Sequence, residues 1–237
     1  MGNSRWISFR SAWRETDLWV AIDREHYHKE AERFTMDRIL FYRRILEEHI
    51  GRYPEFRDSL APVVAAGGVH PLIKAMSDAA IAAGTGPMSA VAGAMAEYVC
   101  RDLLIEFRAD EVVVENGGDI FMKLTAPATV AVYAGASPLS EKIALHPDPA
   151  DTPLALCCSS GTLGHSLSFG VADACMIGCH DGALADAYAT AFCNEVKDKT
   201  LAGPVTEKAI GTAGILAVVI IKDDKVSMGG SIEIRIL

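Results

Sequence analysis

The sequence lacks any apolar run long enough to cross a lipid bilayer. It also contains few aromatic residues, which make up 7% of its 237 residues. Its first ten residues, MGNSRWISFR, lack the apolar core of a signal peptide. These absences predict a cytoplasmic protein without membrane partners. The six cysteines are therefore expected as free thiols and not as a disulfide framework.

Positive charge is also scarce, and its absence is concentrated in one part of the chain. No Lys or Arg lies between Lys142 and Lys197. Residues 1–60 hold 11 basic and 11 acidic side chains, so residues 61–237 carry the whole net charge of −9. An acidic body without a basic stripe argues against nucleic acid as a partner. An anionic ligand bound between the two lysines would need backbone N–H groups, helix N-termini or a metal ion.

The predicted elements run in the order hairpin, helices, strands, strands, helices and hairpin. The main predicted helices are residues 25–50, 71–82, 87–107, 182–196 and 204–214. The strands predicted between the first three helices and the last two are 110–116, 120–124, 128–134, 143–145, 154–160 and 172–179. This order is not a βαβ alternation, so it predicts an α+β protein with helices packed on antiparallel sheet. We interpret residues 1–237 as a single domain, with two ββααββ-like halves at roughly 1–107 and 108–237.

Small residues gather in three places where backbone can approach a ligand. The segments are "AGTGPMSAVAGA", "VENGGDI", and the pair "SSGTLGHSLSFG" and "ALADAYATAF". In the first segment, Gly86 and Gly93 thin one side of a helix. That thin side is explained equally well by close helix–sheet packing and by ligand contact.

Asp186 and Thr190 are the candidate metal ligands. They are four residues apart on a predicted helix, so they share one face, and together they offer the hard oxygen ligands that Mg²⁺ prefers. An aspartate early in a helix is more often a cap or a dipole partner. His165 lies among small polar residues and is a candidate acid or base. Asp119 is explained either by an Asx-turn or by a hydrogen bond to a ligand ring or sugar.

The hydroxyl groups of the stretch 157–178 have two interpretations. Ser159, Ser160, Thr162 and Ser168 either line an anion-tolerant pocket or cap local turns.

The pattern "GTGPMSAVAGAMAEYV…VVVENGGDI…SSGT…ADAYAT" resembles the ApbE-type flavin transferases, which move FMN from FAD onto a protein threonine. The likeness covers about Gly84 to Phe192 and is greatest to a branch of small, uncharacterised, cytoplasmic ApbE-like proteins. It implies a tunnelling-fold-like antiparallel sheet with helices on one side. It also implies Mg²⁺ binding by Asp186 and Thr190.

The same resemblance implies a set of residues that contact the flavin nucleotide. Residues Gly84 to Gly86 correspond to the family's glycine-rich helix entry, and residues 117–119 to its "GGD". With the hydroxyl-rich stretch, the cofactor-binding candidates are Gly84, Thr85, Gly86, Met88, Gly117, Gly118, Asp119, Ser159, Ser160, Gly161, Thr162 and Ser168.

The sequence departs from the family at two points. Gly86-Pro87-Met88 stands where the transferases have a Lys-Gly pair, and the stretch after Ser160-Gly161 is short, so His165 only stands in for the family's histidine segment.

Three functions follow as hypotheses. The first is a Mg²⁺-dependent flavin transferase, or an enzyme that cleaves the FAD diphosphate, with His165 and Asp186 as the catalytic candidates. The second is a protein that binds a flavin, pterin or purine without catalysis. The third is an oligomeric scaffold in which the motifs serve packing. Sheet edges at both ends of the chain predict a homo-oligomer in every case.

Overall fold

A large antiparallel sheet forms the centre of the protein in the computed structural model, which describes residues 5–162 and 169–237. Its strands are β1 (Trp6–Trp13), β2 (Thr16–Asp23), β3 (Val112–Asn116), β4 (Asp119–Lys123), β7 (Leu154–Ser159), β8 (Ala174–Cys179), β9 (Ala217–Lys222) and β10 (Lys225–Gly230). They lie in this order across the sheet, and every neighbouring pair is antiparallel. The remaining strands, β5 (Val130–Ala131), β6 (Ile143–Leu145) and β11 (Ile234–Ile236), form a separate small sheet in the order β11-β6-β5.

Helices cover one face of the large sheet. They are α1 (Glu30–Arg52), α2 (Glu55–Asp58), α3 (Pro71–Ala83), α4 (Val91–Phe107), α5 (Gly182–Glu195) and α6 (Ala202–Ile210). A short 3-10 turn at Pro87–Ala90 leads into α4, and a second lies at Pro149–Asp151. The first helix begins five residues later than the sequence predicts, because the Asp23 carboxylate accepts the His26 backbone N–H and holds a turn there.

The alternation of side chains along the strands separates two cores. Val112 and Val114 pack with the helices, whereas Val113, between them, faces the second core. The small sheet supplies the other wall of that second core, through residues such as Ile143 and Leu145. The predicted α+β architecture with helices on one side is therefore confirmed, and the small sheet covers part of the opposite face.

One predicted strand is much shorter than expected. Residues 128–134 form regular pairing only at β5, Val130–Ala131. Val132 continues with single hydrogen bonds, donating to the Ile143 carbonyl and accepting from the Glu141 N–H. Glu141 has a left-handed backbone (φ 60°), which bends the chain out of the regular ladder.

The large sheet contains two successive sets of four strands, β1–β4 and β7–β10, and helices separate the second and third strand of each set. Four helices, α1–α4, lie between the strand pairs of the first set, and two, α5 and α6, lie between those of the second, so only the second set has the ββααββ order. The division into two halves stays a prediction. We propose that the boundary between the halves lies in the connection from β4 to β7, and not at 107/108.

Within residues 5–162 and 169–237, no single helix has the length and apolar character needed to cross a membrane. The bent pair Pro71–Ala83 and Pro87–Phe107 passes that test together, on length and composition alone.

Candidate functional site

A cavity of about 620 Å³ opens where the β3–β4 turn, the end of β7, the entry to α4 and one face of α5 meet. Its volume is in the usual range for sites that bind small molecules. Ten of the residues predicted from the sequence line it: Thr85, Gly86, Met88, Gly117, Gly118, Asp119, Ser159, Ser160, Asp186 and Thr190. The three small-residue segments therefore converge on one place.

Three predicted residues do not line this cavity: Gly84, Gly161 and Thr162. His165 and Ser168 lie outside the described residues.

Gly84 and Gly86 are required by the backbone between α3 and α4. Gly84 ends α3 in the left-handed conformation (φ 71°), which glycine adopts without strain. A Cβ at Gly86 would lie 1.9 Å from the Ser59 carbonyl oxygen, so the glycine lets the preceding segment approach closely. Gly86 also lines the cavity, so packing and wall formation coincide at this residue.

Gly161 and Thr162 form a local turn. The Ser160 hydroxyl accepts the Thr162 N–H (3.1 Å), and the Thr162 hydroxyl lies 3.3 Å from the Asp173 carboxylate. A Cβ at Gly161 would lie 2.1 Å from the Gly170 carbonyl oxygen. At these two residues the turn interpretation of the hydroxyl-rich stretch explains the structure.

The tight β3–β4 turn brings Asp119 to the cavity. Gly117 and Gly118 both have positive φ (66° and 109°), as two-residue hairpin turns require at their central positions, and Asn116 pairs with Asp119 across them. Asp119 is the first residue of β4, and its Oδ1 accepts the Cys158 N–H of the neighbouring β7 (3.1 Å). The carboxylate is thus fixed between two strands.

The Asp119 carboxyl group is buried, and burial raises its pKa. The Cys158 hydrogen bond opposes this rise, whereas the negative charge of Glu115 adds to it.

Asp186 projects from α5 into the same cavity. Its Oδ2 accepts the Gly93 N–H in the first turn of α4 (2.9 Å). Burial raises the pKa of Asp186 well above its ordinary value, and the negative charge of Asp119 raises it further. The predicted role as a helix partner is therefore real, but the helix that Asp186 caps is α4 and not its own.

Thr190 lies one turn after Asp186 on the same face of α5 and also lines the cavity. Its hydroxyl lies 3.1 Å from the hydroxyl of Ser159 at the end of β7. The two hydroxyl groups extend the polar wall that begins at the carboxylates.

Arg57, Glu115 and Tyr133 are among the lining residues that were not predicted as site residues from the sequence. Arg57 belongs to α2, and among the described lining residues it is the only Lys or Arg. Its exposed ion pair with Asp58 resembles an ordinary surface contact, so the sequence offered no signal for it. Glu115 looked like a strand residue of a buried run, and Tyr133 like part of a longer strand.

The donor set fits a hard cation. Asp119 and Asp186 are both buried, and neither forms an ion pair with a Lys, Arg or His among the described residues. Two carboxylates that repel each other without a compensating cation favour either protonation or a bound metal ion.

Within the described parts of the chain, no three His, Cys, Asp or Glu side chains converge on one metal position. Mg²⁺ is compatible with this, because it usually takes few protein ligands and keeps several waters or phosphate oxygens.

Comparison with known proteins gives a consistent result. A sequence model of the family described as "AbpE bacteria" matches residues 2–209. The UPF0280 protein of Methanocaldococcus jannaschii is 33% identical over 232 residues, covering 96% of this chain and 92% of that protein. The UPF0280 protein of Archaeoglobus fulgidus is 35% identical over 231 residues, covering 94% and 92%.

Two solved structures have a similar fold. The ApbE protein of Thermotoga maritima superposes with a TM-score of 0.57 at 12% identity, covering 96% of each chain. A variant of the flavin transferase ApbE from Vibrio cholerae gives a TM-score of 0.50 at 14% identity, covering 96% of this chain and 98% of the other. At such low identity these likenesses show the fold alone.

Proposed function

The chain belongs to the family described as AbpE bacteria, and on that premise we propose that its cavity binds a flavin nucleotide with Mg²⁺ and that the protein transfers the flavin nucleotide group. The observation that carries the proposal is the pair of buried carboxyl groups, Asp119 and Asp186, in the wall of one cavity. The Vibrio cholerae neighbour is a flavin transferase, and this supports the same substrate class.

Asp186 and Thr190 would hold the metal ion, as the family resemblance implies, and Asp119 would add a second negative charge beside it. Bound there, Mg²⁺ would neutralise charge on the diphosphate of FAD and on the leaving phosphate. Arg57 lines the same cavity and would offer a positive charge to a phosphate oxygen. The residues of the described lining thus provide both signs of charge that a metal–diphosphate complex needs.

The proposed reaction breaks the P–O bond between the FMN phosphorus and the bridging oxygen of FAD. A hydroxyl oxygen of the acceptor forms the new phosphoester bond, AMP leaves, and the hydroxyl proton passes to a base or to solvent. With a protein threonine as acceptor the product is a flavinylated protein, and with water it is free FMN. His165, the acid or base predicted from the sequence, lies outside the described residues.

Calorimetric titration of the flavin-free protein with FAD, with and without Mg²⁺, tests this proposal. We expect Mg²⁺-dependent binding in the wild type and at least roughly tenfold weaker binding in Asp186→Asn, which keeps an acceptor for the Gly93 N–H but removes the charge. Asp181→Asn is the matched control, because it removes the same charge at the N-cap of the same helix, outside the cavity.

A second assay then tests for transfer. The protein is incubated with FAD, Mg²⁺ and a hydroxyl acceptor, and the release of AMP is measured by chromatography. Absence of FAD binding in both conditions would contradict the proposal.

A flavin carrier is the second candidate. One observation favours it: the described residues that line the cavity include no His, the side chain that most often serves as general acid or base. A carrier would bind FAD or FMN stoichiometrically, without release of AMP. Cytoplasmic location and homo-oligomerisation, both predicted from the sequence, stay predictions.

A further inference from the structure

Helices α4 and α5 cross at two glycines. A Cβ at Gly93 would lie 2.2 Å from the Gly182 carbonyl oxygen, and a Cβ at Gly182 would lie 2.4 Å from the Gly93 carbonyl oxygen. Each glycine therefore lets the backbone of the other helix approach to a distance that no other residue permits. Because Asp186 lies one turn after Gly182, this crossing determines where its carboxylate stands relative to the cavity.

Two carboxylates link the helices reciprocally at this crossing. The Gly93 N–H in the first turn of α4 donates to Asp186 on α5 (2.9 Å), and the Gly182 N–H at the start of α5 donates to Glu97 Oε2 on α4 (2.6 Å). In each helix the carboxylate comes four residues after the glycine. First-turn N–H groups have no partner within their own helix, so each helix caps the other.

Glu97 is held as firmly as Asp186 but does not line the cavity. It is 6% exposed, and its Oε1 accepts a hydrogen bond from Arg101 Nε, one turn further along α4 (2.7 Å). One Glu97 oxygen is thus anchored to its own helix, while the other holds the N-terminus of α5. The side chain is a buried, oriented acidic group for which the proposed reaction has no direct use.

We infer that Glu97 is a positioning residue, which fixes α5 on α4 and thereby sets the Asp186 carboxylate in the cavity for Mg²⁺. This inference rests on the proposed function. Without the Glu97 cap, the first turn of α5 loses the acceptor for its leading N–H, and the register that pairs Asp186 with the Gly93 N–H is no longer fixed from both sides. Groups that orient a metal-binding carboxylate commonly change metal affinity although they never touch the metal.

The test is titration of the full-length protein with Mg²⁺ alone, in the wild type, Glu97→Ala and Glu97→Gln. We expect Mg²⁺ affinity to fall by about 10- to 100-fold in Glu97→Ala. Glu97→Gln retains an oxygen acceptor for the Gly182 N–H, so we expect most of the affinity to return. Unchanged affinity in Glu97→Ala, or an equal loss in both variants, would overturn the inference.

Two controls separate positioning from a general loss of stability. Glu106→Ala removes an exposed glutamate from the same helix, away from the crossing. Leu46→Ala destabilises the protein through a cavity in α1, without touching α4 or α5 at the glycines. Both variants should bind Mg²⁺ as the wild type does, and a Leu46→Ala loss equal to that of Glu97→Ala would contradict positioning.

A second readout does not depend on metal binding. Amide hydrogen exchange at Gly93 reports its bond to Asp186, and we expect faster exchange in Glu97→Ala but not in Glu97→Gln. If the wild type does not bind Mg²⁺ at all, the proposed function fails, and Gly93 exchange still tests the coupling. Exchange that is unchanged in Glu97→Ala would overturn the coupling itself.

Discussion

At the residue scale, Asp119 and Asp186 dominate the electrostatics of the cavity. Burial raises the pKa of both carboxyl groups. The negative charge of Asp119 also raises the pKa of Asp186. The hydrogen bonds from Cys158 and Gly93 stabilise the charged forms only partly. A protein with both groups ionised and no cation therefore stores free energy that a bound metal ion would recover.

This pair predicts that the metal-free protein loses stability as the pH rises. Burial raises the pKa of Asp119 to about 7, from 3.8 for an ordinary aspartate. Below about pH 4 both the folded and the unfolded states are protonated, so the full stability is present. Between pH 4 and 7 the unfolded state releases its proton first, and the folded state loses relative stability until Asp119 also ionises. Thermal unfolding in EDTA between pH 4 and 8 should show a falling Tm, by about 5–10 °C.

Two additions sharpen this measurement. Asp119→Asn should flatten the fall in Tm, whereas Asp224→Asn, an exposed aspartate on the β9–β10 turn, should leave it unchanged. Millimolar Mg²⁺ at pH 8 should restore the Tm of the wild type. A Tm that rises with pH in EDTA would refute the assigned burial cost.

At the element scale, the crossing of α4 and α5 explains a pattern that the sequence left open. The small residues of α4 had two interpretations, helix–sheet packing or ligand contact. Gly93 instead packs against another helix, at Gly182, while Gly86 packs on the chain at Ser59. The close packing of α4 on α5 also shapes the cavity, because the same crossing places the Asp186 carboxylate in its wall.

Gly93→Ala should therefore destabilise the protein strongly. The added methyl group would meet the Gly182 carbonyl at 2.2 Å, and neither backbone can move without shifting a helix. We expect a loss of about 3 kcal/mol or more in the free energy of unfolding, measured by urea denaturation. Gly67→Ala is the control, because a Cβ there has no neighbour within 4 Å, and its effect should stay within about 0.5 kcal/mol. Equal effects in the two variants would refute the tight crossing.

At the scale of the whole molecule, the two sets of four strands share one core. The core beneath the helices contains residues from Leu18 in β2 to Ile220 in β9, and β4 pairs directly with β7 across the junction of the halves. An internal boundary in the order of elements is therefore not a boundary in packing. The interpretation of residues 1–237 as a single domain stays a prediction.

We expect the protein to unfold in a single cooperative transition. All three tryptophans, Trp6, Trp13 and Trp19, lie in β1 and β2, so their fluorescence reports the surroundings of the first two strands. Far-UV circular dichroism reports the helices and strands of both halves. Urea transitions recorded by the two methods should coincide. A fluorescence transition at lower urea concentration would show that the first half unfolds by itself.

Much of the fold, and the local placement of several site residues, could be predicted from local sequence. The spacing of Asp186 and Thr190 places both side chains on one helical face, because helical periodicity is a property of a few consecutive residues. The Gly117-Gly118 pair predicts a tight turn for the same reason, since only residues that tolerate positive φ fit it. These local rules operate within one turn or one hairpin, and the structure follows them.

The sequence by itself determined the α+β order of elements, the helical face that carries Asp186 and Thr190, and the turn that precedes Asp119. Only the tertiary structure decided that Asp119 and Asp186 share a cavity, that Glu97 caps α5, and that Thr162 faces Asp173 instead of the cavity. The physical reason is distance along the chain. Hydrophobic periodicity and turn chemistry are encoded in neighbouring residues, whereas the burial and mutual repulsion of two distant carboxylates depend on how closely two helices and a sheet pack.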